Sequence, residues 1–473
     1  MSKTIVIDPV TRLEGHGKIT LHLDAQGEVE DAHFHVTQVR GFERFAQGRP
    51  FYEMPSLMAR VCGICPVSHL LASAKACEAV MSVRIPHTAA QLRRLLNLAQ
   101  MVQSHALSFF YLASPDLLLG MESDPKARHI FGVVAEHPEL GRAGVALRRF
   151  GQHIIELLGG KRVHPGWVIP GGVTEPITAA KRDEILKSIP AALSNMKLAL
   201  SAYKQIADQF SEEIEVFANF PSYYMSLINE DESIEFTDGA LRLIGPAGET
   251  IEDGITAHEF PDRIGEAVEP YSYTKFTYYK PLGYPEGSYR VGPLARLNIA
   301  KTMGTHKADK ELAEFKKLAK GPVQSSFHYH HARLVEMVYG IEKIEQILAD
   351  PLILDKHVRA AAGVNRFEGM GQAEAPRGTL FHHYKVDENG LITWANLVIA
   401  TGQNNRAMNL GILQTAKQYI KGGKFTEGIL NRVEAVVRTF DPCLSCSTHA
   451  LGQMPLSIEL RSATNELLAE VHR

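Results

Sequence analysis

Asp441-Pro442-Cys443-Leu444-Ser445-Cys446-Ser447-Thr448-His449 packs two thiols and an imidazole into little more than two turns of chain. It makes chemical sense only as half of a site. The other half is Arg60-Val61-Cys62-Gly63-Ile64-Cys65 with His69 following, and the two pairs use four of the five cysteines. Four thiolates can make one metal centre, here assembled from opposite ends of a 473-residue chain.

Working outward, the length suggests about two to four domains on a ~150-residue prior, although large single enzymes often exceed it. Hydrophobic content of 45% and charged content of 22% are those of a globular protein. A formal charge of -3 gives no basic footprint for nucleic acid. The start, MSKTIVIDPV, lacks the charged and apolar regions of a secretory signal, and the most apolar long stretch, 92–112, contains Arg93, Arg94 and His105, which a membrane span tolerates poorly. A cytoplasmic protein is expected. So few cysteines make no disulfide framework, and a reducing compartment leaves both pairs free for metal or redox work.

The alternation of Ile19, Leu21 and Leu23, a turn at Asp24-Ala25-Gln26-Gly27 and a second apolar run predict a hairpin over 18–36. Helical patterning starts at Pro55, and a pair of cysteines at a helix start feels the positive end of its dipole, which favours thiolate. Cys77, among Ala72, Ala74 and Val80, reads as buried and inert. Long helices are expected over 86–113, 126–158, 176–217, 310–319 and 327–348. The last opens with His328, His330 and His331; adjacent histidines point different ways around a helix, which predicts a polar surface or interface rather than a metal site. Val163-His164-Pro165-Gly166-Trp167 to Gly172, too rich in Pro and Gly for helix or strand, reads as a fixed loop bracing a site.

The fold expected is α+β and predominantly helical: a large single unit over 1–449 with a long-helix bundle core, an N-terminal β hairpin and peripheral β-rich segments, the main one at about 233–279. Structural zinc suits four cysteines, but zinc ribbons place their pairs ~15–20 residues apart to staple a small fold. A core this large needs no staple. Thioredoxin-like exchange would need a preceding strand that neither pair has. Soft thiolates favour nickel, iron, zinc or copper(I), and residue types alone do not choose among them.

In order, the segments DPVTRLEGH, RGFE, RVCGICPVSH, HPGWVIPGG, EAPRGTL and DPCLSCSTH resemble the signature boxes of the nickel-iron hydrogenase large, catalytic subunit, and the ending DPCLSCSTHALGQMPL is similar to its cytoplasmic, bidirectional, NAD-linked branch. The resemblance implies Cys62 and Cys443 as terminal nickel ligands, and Cys65 and Cys446 as bridges to an iron carrying one carbon monoxide and two cyanides. It implies Glu14 as the acid-base group that takes a proton from Cys443, and Arg377 as the guanidinium above the open metal position with Asp441 as its partner. Thr401 would donate to cyanide, and Ile399, Leu380 and Pro376 would line the diatomic pocket. Glu43, His449 and the carbonyl of Leu397 would hold magnesium or a similar hard ion.

Two positions depart from the family. Ala400 stands where many relatives have proline, and Ser104 where several have an aspartate over the metals, so that aspartate's role does not transfer. Residues 450–473 resemble an extension that an endopeptidase removes during maturation. The chain has no strand-linked Gly-x-Gly-x-x-Gly and no spare cysteines for an iron-sulfur cluster. The resemblance therefore implies a small subunit with such a cluster and diaphorase partners carrying FMN, further iron-sulfur clusters and NAD. Other acceptors, a hydrogen-sensing relative and a structural zinc protein are the alternatives.

Overall fold

A computed structural model describes residues 3–449, 457–462, 464 and 466–472. At the N-terminus β2 (Gly17–Leu23) and β3 (Val29–Val36) form the expected hairpin. Asp24 Oδ1 closes its turn by accepting the N–H groups of Gln26 and Glu28, each at 2.9 Å. A third strand, β1 (Lys3–Ile7), pairs antiparallel with β2; its five residues fall short of a clear alternating pattern and escaped the sequence reading.

The core is a ring of long helices. α2 (His87–Leu107) packs against α3 (Pro138–Gly159) and α5 (Tyr329–Ala349), and α4 (Ala179–Ala207) closes the ring between α3 and α5. Leu92, Leu95, Leu96, Ala99 and Val102 bury the expected stripe of α2. Two helix expectations need correction. The stretch 126–158 is broken, because Pro138 has no N–H to continue the helix Ile130–Glu136 and instead starts α3. The stretch 176–217 is helical as α4 only to Ala207, followed by short turns.

His328, His330 and His331 are also not a surface. They are buried among the rings of Phe327, Phe109 and Tyr203, and burial lowers their pKa values to about 4, 3 and 4. They are neutral at physiological pH.

A separate sheet is an antiparallel meander of β4 (Glu368–Ala375), β5 (Gly378–Val386) and β6 (Ile392–Val398). Helix α1 (Pro66–Met81), which follows the first cysteine pair, rests directly on β4. A Cβ on Gly371 would sit 2.1 Å from the Ala72 carbonyl oxygen, so only glycine allows this helix backbone to touch the strand. The other β-rich region draws strands from beyond 233–279: Tyr289–Arg290, Tyr223–Ile228, Ala240–Ile244 and Thr250–Ile255 form one sheet, whose Met225, Leu227 and Leu241 share an apolar cluster with Phe381 and Val398. Within the expected extension, Ser457–Arg461 pairs with Leu467–His472; residues 450–456, 463, 465 and 473 lie outside the described residues. Among the described residues no helix is long and apolar enough to cross a membrane.

The two ends of the chain are locked together by a buried charge cluster. Asp116 accepts from Arg12, from Arg438 Nε at 2.9 Å and from Asn431 Nδ2 at 3.0 Å. Burial pushes this carboxyl up, but Arg438 and Arg12 outweigh it and hold the pKa below the ordinary range. Asp116→Asn should cost about 3 kcal/mol or more, because it leaves Arg12 without a carboxylate partner and Arg438 with Glu434 alone. For a depressed carboxylate the contribution is present above its unfolded pKa of ~3.9 and lost as pH falls below it. Denaturant unfolding of wild type and D116N at neutral and acid pH checks this: the gap between them should narrow in acid.

Candidate metal centre

The four thiols converge at two helix starts. Cys65 is the N-cap of α1, with Pro66 at its first position. Cys62 turns back over that start, its Sγ accepting the N–H groups of Ile64 and Cys65, both at 3.2 Å. On the other side, α7 (Glu427–Phe440) ends at Asp441 in the left-handed region (φ 54°), and Pro442 then directs Cys443 to the start of the short helix Leu444–Ser447. All four Sγ atoms lie within 4.8 Å of one another. Cys62 and Cys443 are 3.4 Å apart, Cys65 and Cys446 3.7 Å, and Cys443 and Cys446 2.7 Å. Each cysteine is at most 4% exposed.

Without a cation these thiols cannot all ionise. Hydrogen bonds from Cys443, Cys446 and Cys65 hold Cys62 well below a free thiol. Burial and the neighbouring sulfurs push Cys443 and Cys446 well above it. For Cys65 the bonds from Cys443 and Cys446 pull down, but Cys62 and burial prevail and raise it. A bound soft cation reverses this ordering and ionises the set. The donor set fits a soft metal.

Arg377 occupies the tip of the tight β4–β5 hairpin, where Ala375 pairs with Gly378. Its Nε donates to the Asp441 carbonyl at 2.5 Å, its Nη2 to the Asp441 carboxylate at 3.0–3.1 Å, and its Nη1 to Ser104 Oγ at 3.3 Å. Burial alone would favour neutrality, yet Asp441 and the cysteine sulfurs hold the guanidinium firmly protonated. Arg296, fully buried, fixes the hairpin tip from behind by donating to Glu374 at 2.6 Å and to the carbonyls of Ala375 and Pro376 at 3.1 and 3.2 Å. No local pattern around Arg296 signals this; only Glu374, inside EAPRGTL, hinted at it.

Thr401 lies in the first turn of α6 (Ala400–Tyr419), and its Oγ1 accepts the Cys443 N–H at 2.9 Å, which leaves the hydroxyl proton free to donate. Leu380, Ile399 and Pro376 are buried at the neighbouring strand ends. Glu14 reaches the site through backbone and side chain: its carbonyl accepts the Leu444 N–H at 3.1 Å, and its carboxylate accepts from the N–H and hydroxyl of Ser445. Gly15 makes that approach possible, with φ +88° and room for no Cβ against Leu444. The partner of the Glu14 carboxylate is thus Ser445, between the two cysteines.

Glu43, Leu397 and His449 also meet. One Glu43 oxygen accepts from Leu397 N–H and lies 2.8 Å from His449 Nδ1. Burial raises the Glu43 carboxyl, but His449 and Lys275 outweigh it and keep it ionised. Cys77 lies apart, donating to the Phe51 carbonyl with its pKa pushed up by burial, as an inert thiol should be. His69, one turn beyond Cys65, heads a buried chain to His382 (3.1 Å) and Tyr384 (2.6 Å). The Cys-x-x-Cys-x-x-x-His spacing was its only signal.

Four convergent thiols at two helix starts beside a buried guanidinium define a metalloenzyme subunit with a soft-metal centre. The family model described as nickel-dependent hydrogenase matches residues 40–127 and 244–449, and one described as HoxL-like matches 4–39. The chain is 40% identical to the NAD-reducing hydrogenase HoxS subunit beta of Cupriavidus necator, covering 99% of each chain. It is 42% identical to a chain of the vhu F420-non-reducing hydrogenase of Methanocaldococcus jannaschii, over 88% of this chain and 99% of that one. A crystal structure of an NAD+-reducing [NiFe]-hydrogenase in the H2-reduced state superposes with a TM-score of 0.92 at 41% identity, covering 94% of this chain and 99% of the other. The chain belongs to the nickel-dependent hydrogenase family, and it is the large, catalytic subunit of a nickel-iron hydrogenase.

Proposed function

We propose that this subunit cleaves H2 reversibly in a cytoplasmic complex that passes the electrons to NAD. The observation that carries the reading is the convergence of four buried thiols within 4.8 Å beside a protonated Arg377. Cys62 and Cys443 would hold nickel, and Cys65 and Cys446 would bridge it to iron. When bound, a nickel-iron pair with one carbon monoxide and two cyanides on iron would supply a soft, electron-rich site at which H2 is split into two protons and two electrons.

The chain's own residues then handle the proton and the surroundings. Cys443 Sγ can take a proton as a thiol, and Ser445 places the Glu14 carboxylate beside the cysteine loop to pass it outward by general acid-base exchange. Arg377 balances the thiolates' charge and offers N–H donors to anionic ligands. Thr401 fixes Cys443 and keeps one proton to donate. Leu380, Ile399 and Pro376 exclude water. Glu43, His449 and the Leu397 carbonyl would bind magnesium or a similar hard ion that ties the C-terminal segment to the core. Over 1–449 the chain acts as one catalytic unit, and removal of 450–473 by a maturation endopeptidase would let His449 and its new carboxylate close over that ion.

Electrons leave through a small subunit carrying an iron-sulfur cluster and then flavin-containing diaphorase subunits; similarity to the NAD-reducing relative over the full length supports these partners. A different electron acceptor is the second reading, favoured by the 42% identity to an F420-non-reducing relative. The deciding experiment is metal analysis and infrared spectroscopy of the purified complex, followed by NAD reduction under H2. Nickel with iron, bands from carbon monoxide and cyanide, and NADH formation are expected. Zinc alone without such bands would refute the metal reading, bands without NADH would favour the second acceptor, and a metal-loaded chain whose intact mass includes 450–473 would count against tail removal.

A further inference from the structure

The end of α7 is held by a cation that belongs to neither the thiol cluster nor its immediate neighbours. Arg333, in the second turn of α5, is completely buried, and its Nη2 donates to the Thr439 carbonyl at 2.6 Å. That carbonyl is one of the last of α7, where the helix leaves its acceptors without internal partners. The guanidinium lies 5.6 Å over the ring of Tyr329, which in turn packs on Phe440, the last residue of the helix. Thr439 Oγ1 is pinned separately to Ser326 Oγ at 2.8 Å. The chain therefore enters Asp441-Pro442-Cys443 from a clamped point.

Arg333 makes no salt bridge of its own: its Nε and Nη1 take no protein acceptor among the described residues. Burial and the nearby Arg377 lower its pKa to about 10 against the attraction of Asp441, Tyr329 and Glu336, so it stays charged at neutral pH. The Asp441 carboxylate is bonded to Arg377 and not to Arg333, and Ser104 rather than a second acid faces Arg377. A buried cation without a paired anion is costly. The cost is offset if the excess positive charge faces the thiolate cluster beyond Asp441, which is anionic once metal is bound.

We infer that Arg333 is a positioning residue of the metal centre: it clamps the end of α7 through Thr439, which fixes where Asp441 leaves the helix beside Arg377 and the thiols, and its unpaired charge adds to the positive field there. The inference rests on the metal reading proposed above. Its test uses the assembled holoenzyme with Arg333→Met, which keeps bulk without charge, and Arg333→Lys, which keeps the charge. Wild-type infrared bands are recorded first; their absence would overturn the metal reading and this inference with it.

With wild-type bands in hand, R333M is expected to retain nickel and iron, to shift the carbon monoxide and cyanide bands, and to lower kcat roughly ten- to a hundred-fold with little change in KM for H2, as for residues that orient metal ligands from behind. R333K should return the bands towards their wild-type positions. Wild-type bands and turnover in R333M would overturn the role of Arg333 alone. Should R333M not assemble, Arg333→Gln keeps a donor for Thr439 without the charge, and unshifted bands there would overturn the electrostatic role.

Discussion

Arg377→Lys is expected to slow H2 oxidation by about 10²–10³-fold, the range seen when one preorganised donor to a charged site is removed. Lysine keeps the charge but loses the planar fork. Arg377 uses three nitrogens in three directions, to the Asp441 carbonyl, the Asp441 carboxylate and Ser104. An ammonium on a flexible stem cannot hold that geometry. Because the four cysteines are untouched, nickel and iron content should stay at the wild-type level. Metal analysis and steady-state turnover on the same preparation separate the outcomes: full turnover with full metal would remove Arg377 from the chemistry, and lost metal would make it a structural residue.

Glu14→Gln is expected to reduce turnover by about 10²–10⁴-fold, the usual contribution of a positioned acid-base group. Glutamine preserves size and can still accept from the Ser445 N–H, so the link between N-terminal segment and cysteine loop should survive. It cannot release and recover a proton near neutral pH. The informative measurement is hydrogen isotope exchange with solvent beside infrared spectra: unchanged bands with exchange lost places the defect in proton movement. Wild-type exchange in E14Q would send the proton by another route, with the buried His69–His382–Tyr384 chain the next place to look.

Several parts of this centre were legible because their chemistry is local. Two closely spaced cysteine pairs, the first at a helix start, and a turn-rich loop announce themselves by spacing and composition. The hairpin and most long helices followed from periodicity. Other features depended on what lies opposite. His328, His330 and His331 look like a polar surface until Phe327, Phe109 and Tyr203 close over them, and then their low pKa values follow from burial. Arg296, Arg333 and Asp116 sit in ordinary-looking stretches, and their partners are 40–322 residues away. No window along the chain contains both members.

The sequence by itself determined the ligand chemistry: four cysteines in two spaced pairs, with an acid, an arginine and a histidine in boxes whose order resembles one family. It determined the helical character too, since amphipathic repeats need no distant information. The tertiary structure decided how the ends meet. The Asp116 charge cluster, the contact of Gly371 with the α1 backbone and the bonds of Arg377 to Asp441 and Ser104 are long-range contacts. Burial makes their electrostatics strong, and burial is a property of the packed chain rather than of any stretch of it.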